Sequence, residues 1–171
     1  MDRDKARRYR PFFLSAGVLA LDQISKALVV SQIPRNTIAW NAFGDFLWIV
    51  HARNTGVAFS MGDSLPPWLR AILFSLLPLV LIGGILLYYF RTEEATPVQR
   101  WALAAIVGGG LGNIVDRLAR PAGVVDFISV KIFGLFGMDR WPTFNVADSA
   151  VVVGALIVAI SSLIIARKRP K

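Results

Sequence analysis

The chain has 171 residues, 55% of them hydrophobic and 18% charged, with a formal net charge of +8 and a mean hydropathy of +0.56. That balance excludes intrinsic disorder, argues against a soluble globular enzyme and leaves room for one domain. Cysteine is absent and histidine occurs once, as His51, so disulfides, thiolate metal sites and cysteine nucleophiles are excluded together.

Residues 1–10 carry five Lys or Arg, and a first apolar run, Pro11 to Val30, reaches the roughly 20 residues a membrane span needs. Residues 1–20 alone would also fit a cleavable signal peptide with a small-residue site at Val18-Leu19-Ala20. The apolar residues that resume at Ala27 to Val30 complete a spanning length and favour the span. Inside it Asp22, Ser25 and Lys26 lie at i, i+3 and i+4 on one helical face. Ionisable groups are expensive there, so Asp22 and Lys26 are either an ion pair that lowers its own insertion cost or part of a site. Ser25 and Lys26 are neighbours pointing to different faces, which disfavours a Ser–Lys nucleophile.

In the next segment Phe46 to Arg53 reads as a strand, and Asn54-Thr55-Gly56 as a turn into a second strand starting at Val57. His51 on that strand is expected at the surface rather than as a ligand. A second span covers Pro67 to Phe90 and a third Trp101 to Leu118. In the third, Gly108 and Gly112 form a small-xxx-small pair for close helix approach, while Asn113, Asp116 and Arg117 share one face as an ion pair or as part of a site. Val124 to Ile132 then alternates like a strand, with Asp126 the one carboxylate on an apolar face. Desolvation there would raise its pKa, unless turn amides bind it. The fourth span, Ala147 to Ala166, opens with Asn145-Val146-Ala147-Asp148, which resembles a capping box and also brings a third carboxylate to the same end of the bundle as Asp116 and Asp126.

Orientation follows from the positive residues. The tail 167–171 carries four Lys or Arg and the link 91–100 carries two, against two in the longer segment 31–66 and three in 119–146. Both termini and the link are therefore expected in the cytoplasm, with Trp68, Trp101, Trp141, Tyr88 and Tyr89 near span ends. The basic excess is an orientation signal rather than a nucleic-acid footprint. The expected fold is a single integral membrane domain, an all-α bundle of four transmembrane helices with a small β-sheet on its outer face.

Two carboxylates held close together cannot both ionise easily, so one keeps a proton while the other activates a water. That chemistry needs no cysteine, histidine, metal or cofactor. Metal hydrolysis on Asp116, Asp126, Asp148 and His51 lacks any ligand-spacing motif. A small proton- or ion-coupled transporter using Asp22 and Asp116 is the alternative, but it calls for a polar path to the cytoplasmic side, and Val80 to Phe90 and Leu156 to Ala166 contain no charge. A structural subunit, whose polar clusters serve packing alone, is a further alternative.

Asp22-Gln23 with Lys26, Asn54-x-Gly56-x-Ala58-Phe59, Gly112-Asn113-x-x-Asp116-Arg117, Val125-Asp126-Phe127 and Phe144-Asn145-x-Ala147-Asp148 together resemble the bacterial lipoprotein signal peptidases, the type II signal peptidases. The resemblance runs from the first span to the start of the fourth. It implies an aspartyl endopeptidase of the bacterial inner membrane, with its active site towards the outer face, that cuts a prolipoprotein before its diacylglyceryl-modified cysteine. It further implies Asp126 and Asp148 as the catalytic pair, Asn54, Gly56, Asn113, Arg117 and Asn145 as substrate-binding residues, and Asp22, Lys26 and Asp116 as supporting ones. Implied partners are the prolipoprotein, membrane lipids and a globomycin-type cyclic peptide inhibitor. The stretch between Phe127 and Thr143 and His51 lie outside these motifs.

Overall fold

The computed structural model describes residues 7–56 and 65–168. Its elements in chain order are helix α1 (Phe12–Gln32), strands β1 (Ile38–Ala42) and β2 (Leu47–Asn54), a short helix α2 (Pro67–Ala71), a π-helical turn (Ile72–Leu76), helices α3 (Leu77–Arg91) and α4 (Pro97–Ala119), strand β3 (Val124–Val130), a 3₁₀ turn (Leu135–Gly137) and helix α5 (Val146–Lys168). Four helices among the described residues are long and apolar enough to cross a membrane. α1 has 21 residues and α4 and α5 have 23 each, which at about 1.5 Å per residue spans roughly 30 to 35 Å. α2, the π turn and α3 run on as one helical path. The widened turn precedes Pro78, whose missing N–H and ring disturb the turn four residues before it.

α4 is the centre of the bundle: half of its most apolar stretch is buried against protein, compared with 6% for the α3 and α5 spans. Its small residues explain why. A Cβ on Gly108 would stand 2.6 Å from the Ser15 carbonyl of α1, and one on Gly109 2.4 Å from the Ala147 carbonyl of α5. Gly112 makes room in the same way for the Asp22 carboxylate. Ser15 Oγ donates to the Ala104 carbonyl at 2.6 Å, so close approach also lets polar groups pair inside the bundle. α4 begins at Thr96, where a capping box with Gln99 satisfies two backbone donors. Leu21, Leu28, Val80, Leu81, Val152, Leu156 and Ile160 are each more than half exposed and form the apolar outer surface of the helices.

One end of the bundle carries a three-stranded antiparallel sheet of order β1-β2-β3. β1 and β2 form a hairpin through Phe43-Gly44-Asp45, all three with positive φ. β3 pairs with the other edge of β2, Ala52 opposite Asp126 and Asn54 opposite Val124. Val29 of α1 packs with Val125 and Phe127 beneath the sheet. The sequence reading differs here in two respects. The second strand expected after Gly56 falls on residues outside the described ones, and the hairpin partner of β2 is the upstream β1, four of whose five residues are exposed, so that no alternation marked it. His51 is not a surface residue. It is 2% exposed, its Nδ1 lies 2.7 Å from the Ile33 carbonyl, and its backbone bonds Asn36 and Thr37. The ring is enclosed because the chain leaving α1 folds back over β2 and is pinned there.

Candidate active site

The polar residues of α1 and α4 meet in a cluster with no access to solvent. Lys26, Asp22 and Asp116 are each 0% exposed. Lys26 Nζ lies 2.8 Å from Asp22 Oδ2 and 3.1 Å from Asp116 Oδ2, and donates to Asn113 Oδ1 at 3.0 Å. All three ammonium hydrogens thus have acceptors, as a buried charge requires. Asp116 also pairs with Arg120 and accepts from the Val125 N–H at 3.0 Å, tying α4 to β3. Asp22 Oδ1 accepts from the Ala147 N–H at 3.0 Å, which anchors the first turn of α5. Gln23 Nε2 bridges Asp22, Asp116 and the Gly112 carbonyl at 3.0–3.1 Å.

The ion-pair reading of Asp22 and Lys26 holds: they are an i, i+4 ion pair, and that pair is the base of a larger network. The anticipated grouping of Asp116 with Arg117 does not form an ion pair. Asp116 turns towards Lys26 and Arg120, and Arg117 turns away, because adjacent helix positions point about 100° apart.

Above this base, three asparagines grip two carboxylates. Asn113 Oδ1 faces the ammonium and its Nδ2 donates to Asp148 Oδ1 at 2.7 Å; a cation on one side and an anion on the other fix the amide's orientation. Asn145 caps α5 reciprocally with Asp148, its Oδ1 accepting from the Asp148 N–H at 2.9 Å and its own N–H donating to Asp148 Oδ2 at 3.1 Å. Its Nδ2 donates to Asp126 Oδ1 at 2.7 Å. Asn54 Nδ2 donates to Asp126 Oδ2 at 3.1 Å, and Asn54 Oδ1 accepts from the Gly56 N–H, closing an Asx turn. Strand register explains the first of these contacts: Asp126 faces Ala52, and Asn54, two residues further on, presents its side chain on the same face.

Asn145 is thus shared by both carboxylates, and every oxygen of the pair accepts one N–H. Asp126 is 2% exposed. Burial pushes its carboxyl up, the negative charge of Asp148 adds to this, and the amides of Asn54 and Asn145 and the Lys26 charge oppose it, leaving a pKa of about 6. The turn-amide alternative for Asp126 is replaced by side-chain amides, and the capping-box reading of Asn145 and Asp148 is fulfilled within the site itself.

Arg117 is half-buried, within electrostatic reach of Asp148 and Asp126, and makes no hydrogen bond or ion pair among the described residues. It stands where two grooves meet, each of about 320 Å³. One is apolar, lined by Leu81, Ile82 and Ile85 of α3, Ile106 and Gly110 of α4 and Val151 and Val152 of α5, and it ends on Asn113, Arg117 and Asp148. The other, beyond Asn54, is lined by Arg70, Phe74, Ser75, Arg117, Arg120 and Gly123. Gln23, Arg70 and Arg120 were not singled out from sequence as site residues. Arg120 had a usable signal, the i, i+4 spacing to Asp116; Arg70 had none. Among the described residues no group of three or more His, Asp or Glu is arranged to hold a metal ion.

The fold and site define an integral membrane protein with a carboxylate pair, Asp126 buried and Asp148 half-buried, at one end of a helical bundle, open to an apolar groove between its helices. A family model described as signal peptidase (SPase) II matches residues 14–164. The chain belongs to the signal peptidase II family, a family of proteases, and the ion-coupled transporter alternative has no support. The lipoprotein signal peptidase of Treponema pallidum (strain Nichols) is 45% identical over 94% of this chain and 87% of its own. That of Borrelia turicatae (strain 91E135) is 44% identical over 95% of both. A solved structure of a bacterial membrane enzyme superposes with a TM-score of 0.79 at 24% identity, covering 95% of this chain and 93% of that one, which is a likeness of fold.

Proposed function

We propose that this protein is an aspartyl endopeptidase of the bacterial cytoplasmic membrane that removes the signal peptide from prolipoproteins, cutting before the diacylglyceryl-modified cysteine. The observation that carries the reading is the pair Asp126 and Asp148, bridged by Asn145, with Asp126 titrating at about 6. Asp148 borders the apolar groove and acts as the base; Asp126 holds the proton. Water adds its oxygen to the carbonyl carbon of the residue preceding the cysteine and gives one proton to Asp148. Asp126 gives its proton to the carbonyl oxygen. As the tetrahedral species collapses, the C–N bond breaks, the cysteine nitrogen takes the proton held by Asp148, and one hydroxyl of the diol returns its proton to Asp126, so that the pair is restored and the signal peptide leaves as a carboxylic acid that ionises in water.

The remaining residues take roles by position. The apolar groove accepts the signal helix and acyl chains, and the arginine-lined groove accepts the polar chain that follows the cysteine. Arg117, whose hydrogens are unclaimed among the described residues, and Asn113 hold the substrate backbone between them, and Gly56 permits close backbone approach. Asp22, Lys26 and Asp116 hold Asn113 and the start of α5. A globomycin-type cyclic peptide would compete for the same ground. The active site faces the outer side, and both termini face the cytoplasm.

The test uses purified protein and a lipid-modified prolipoprotein. Asp126→Asn and Asp148→Asn should each lower kcat by about 10²–10⁴ or more while the thermal transition is retained. Substantial cleavage by either variant removes the pair from the mechanism.

A further inference from the structure

At the end of the bundle remote from Asp126 and Asp148, the chain entering α1 and the link between α3 and α4 enclose a cavity of about 740 Å³. Arg7, Arg8, Arg10 and Arg100 line it, and among the described residues Glu93 is the one carboxylate in its wall. The arginines are not equivalent. Arg100 is fully committed to structure: its guanidinium donates to the carbonyls of Tyr89, Thr92 and Ala95 at 2.9–3.3 Å and lies over the Tyr89 ring. Arg8 is half committed. One terminal nitrogen donates to the Phe90 carbonyl, whereas its Nε is buried without a hydrogen-bond partner. The side chains of Arg7 and Arg10 make no hydrogen bond or ion pair among the described residues.

A buried guanidinium donor with no acceptor is costly and uncommon, and Arg7 and Arg10, which line the same cavity, also lack anions among the described residues. The shortfall is of one kind: oxygen acceptors carrying negative charge, several of them, in one place. A phosphodiester supplies these. The cavity lies where three spans end, and Trp101, an interfacial side chain by type, stands in its wall. Phe13 of α1, two residues along the chain from Pro11 in that wall, is 80% exposed, so an acyl chain below the headgroup would meet apolar surface. Charge, donor geometry and depth all favour a lipid over a free ion.

We propose that this cavity binds the headgroup of an anionic phospholipid from the leaflet on the side of the chain termini, with Arg7, Arg8 and Arg10 as its phosphate ligands. The site is separate from the peptidase centre and does not depend on the reading of that centre.

The experiment compares the intact protein in nanodiscs or detergent with two double variants, Arg7→Gln with Arg10→Gln, and Arg167→Gln with Lys168→Gln. Both pairs remove two charges from the same end of the molecule, but only the first lines the cavity. Phosphatidylglycerol, phosphatidylcholine and inorganic phosphate are titrated, and bound lipid is read by native mass spectrometry alongside Tm. The wild type and the Arg167/Lys168 variant should bind phosphatidylglycerol alike and gain in Tm. The Arg7/Arg10 variant should bind it about 30-fold more weakly, at the contribution of a basic group near a charged membrane surface. Phosphatidylcholine, whose phosphodiester is balanced by its own choline cation, should bind far more weakly, and inorganic phosphate should produce no shift. Equal loss in both variants would mean diffuse attraction, equal binding of phosphatidylcholine would mean that any phosphodiester serves and the lipid's net charge is not recognised, and displacement of the lipid by millimolar phosphate would mean a free-ion site. Each of these overturns the proposal.

Discussion

Replacing Asn145 by Ala tests how the two carboxylates are coupled. The substitution removes the donor that lies 2.7 Å from Asp126 Oδ1 and the acceptor that caps Asp148. A hydrogen bond to a charged group contributes about 1.5–3 kcal/mol, and one pKa unit corresponds to 1.36 kcal/mol. Losing a bond that favours the charged form should therefore move the Asp126 titration upward by about 1 to 2 units from its value of about 6. The sign matters for the assay. In the proposed mechanism Asp126 works as the protonated partner, so its ionisation would be the alkaline limb of kcat/KM in the free enzyme, and the variant's limb should shift to higher pH even as its maximum falls. The lost cap should lower stability by about 1 kcal/mol, visible as a modest drop in Tm. The measurement is kcat/KM against pH on a quenched fluorescent lipopeptide in detergent, with Tm recorded at each pH. A residue that only caps the helix would lower the rate equally at all pH. An alkaline limb that stays put, or moves down, refutes the coupling.

Lys26→Met leaves Asp22 and Asp116 buried without their shared cation and should destabilise the protein by about 3–5 kcal/mol; a thermal transition unchanged from wild type would contradict the charge balance described. Gly109→Ala touches neither carboxylate, yet its methyl must displace the Ala147 carbonyl 2.4 Å away, beside Asp148, and crowds Val151 of the apolar groove at 3.0 Å. It should cost about 1–3 kcal/mol and lower kcat more than it raises KM, and kinetics equal to wild type would show that α5 can yield without disturbing the pair. Since the chain has no cysteine, orientation is open to labelling: Asp139→Cys should react with an impermeant thiol reagent on intact cells and Glu94→Cys only after lysis. The reverse pattern would invert the proposed topology.

Polar side chains stand out in an apolar sequence, so Asp22, Asn113 and Asp116 could be picked out inside the spans from cost, Asp126 from its apolar strand face, and Asn145 and Asp148 from their capping pattern. What spacing could not supply was their convergence. The bond from the Ala147 N–H to Asp22 crosses 125 positions, and the shared role of Asn145 depends on β3 lying beside the start of α5. Local rules described each partner correctly and separately: the Asn145–Asp148 cap is both a capping box and a bridge. His51 was misplaced because strand alternation reports which face a residue occupies, and it is silent on whether another segment covers that face. β1 escaped notice for the opposite reason, since a strand exposed on both sides carries no period to read.

Lys26 uses every hydrogen it has. Its ammonium is locked between two carboxylates and an amide, and Asp22, Lys26 and Asp116 are each out of reach of solvent. The floor beneath the carboxylate pair is therefore a closed, charge-balanced plug. A peptidase built in this way sits within an energised membrane without drawing on it: the rate should be indifferent to the transmembrane potential, and the free energy of peptide hydrolysis alone sets the direction of the reaction.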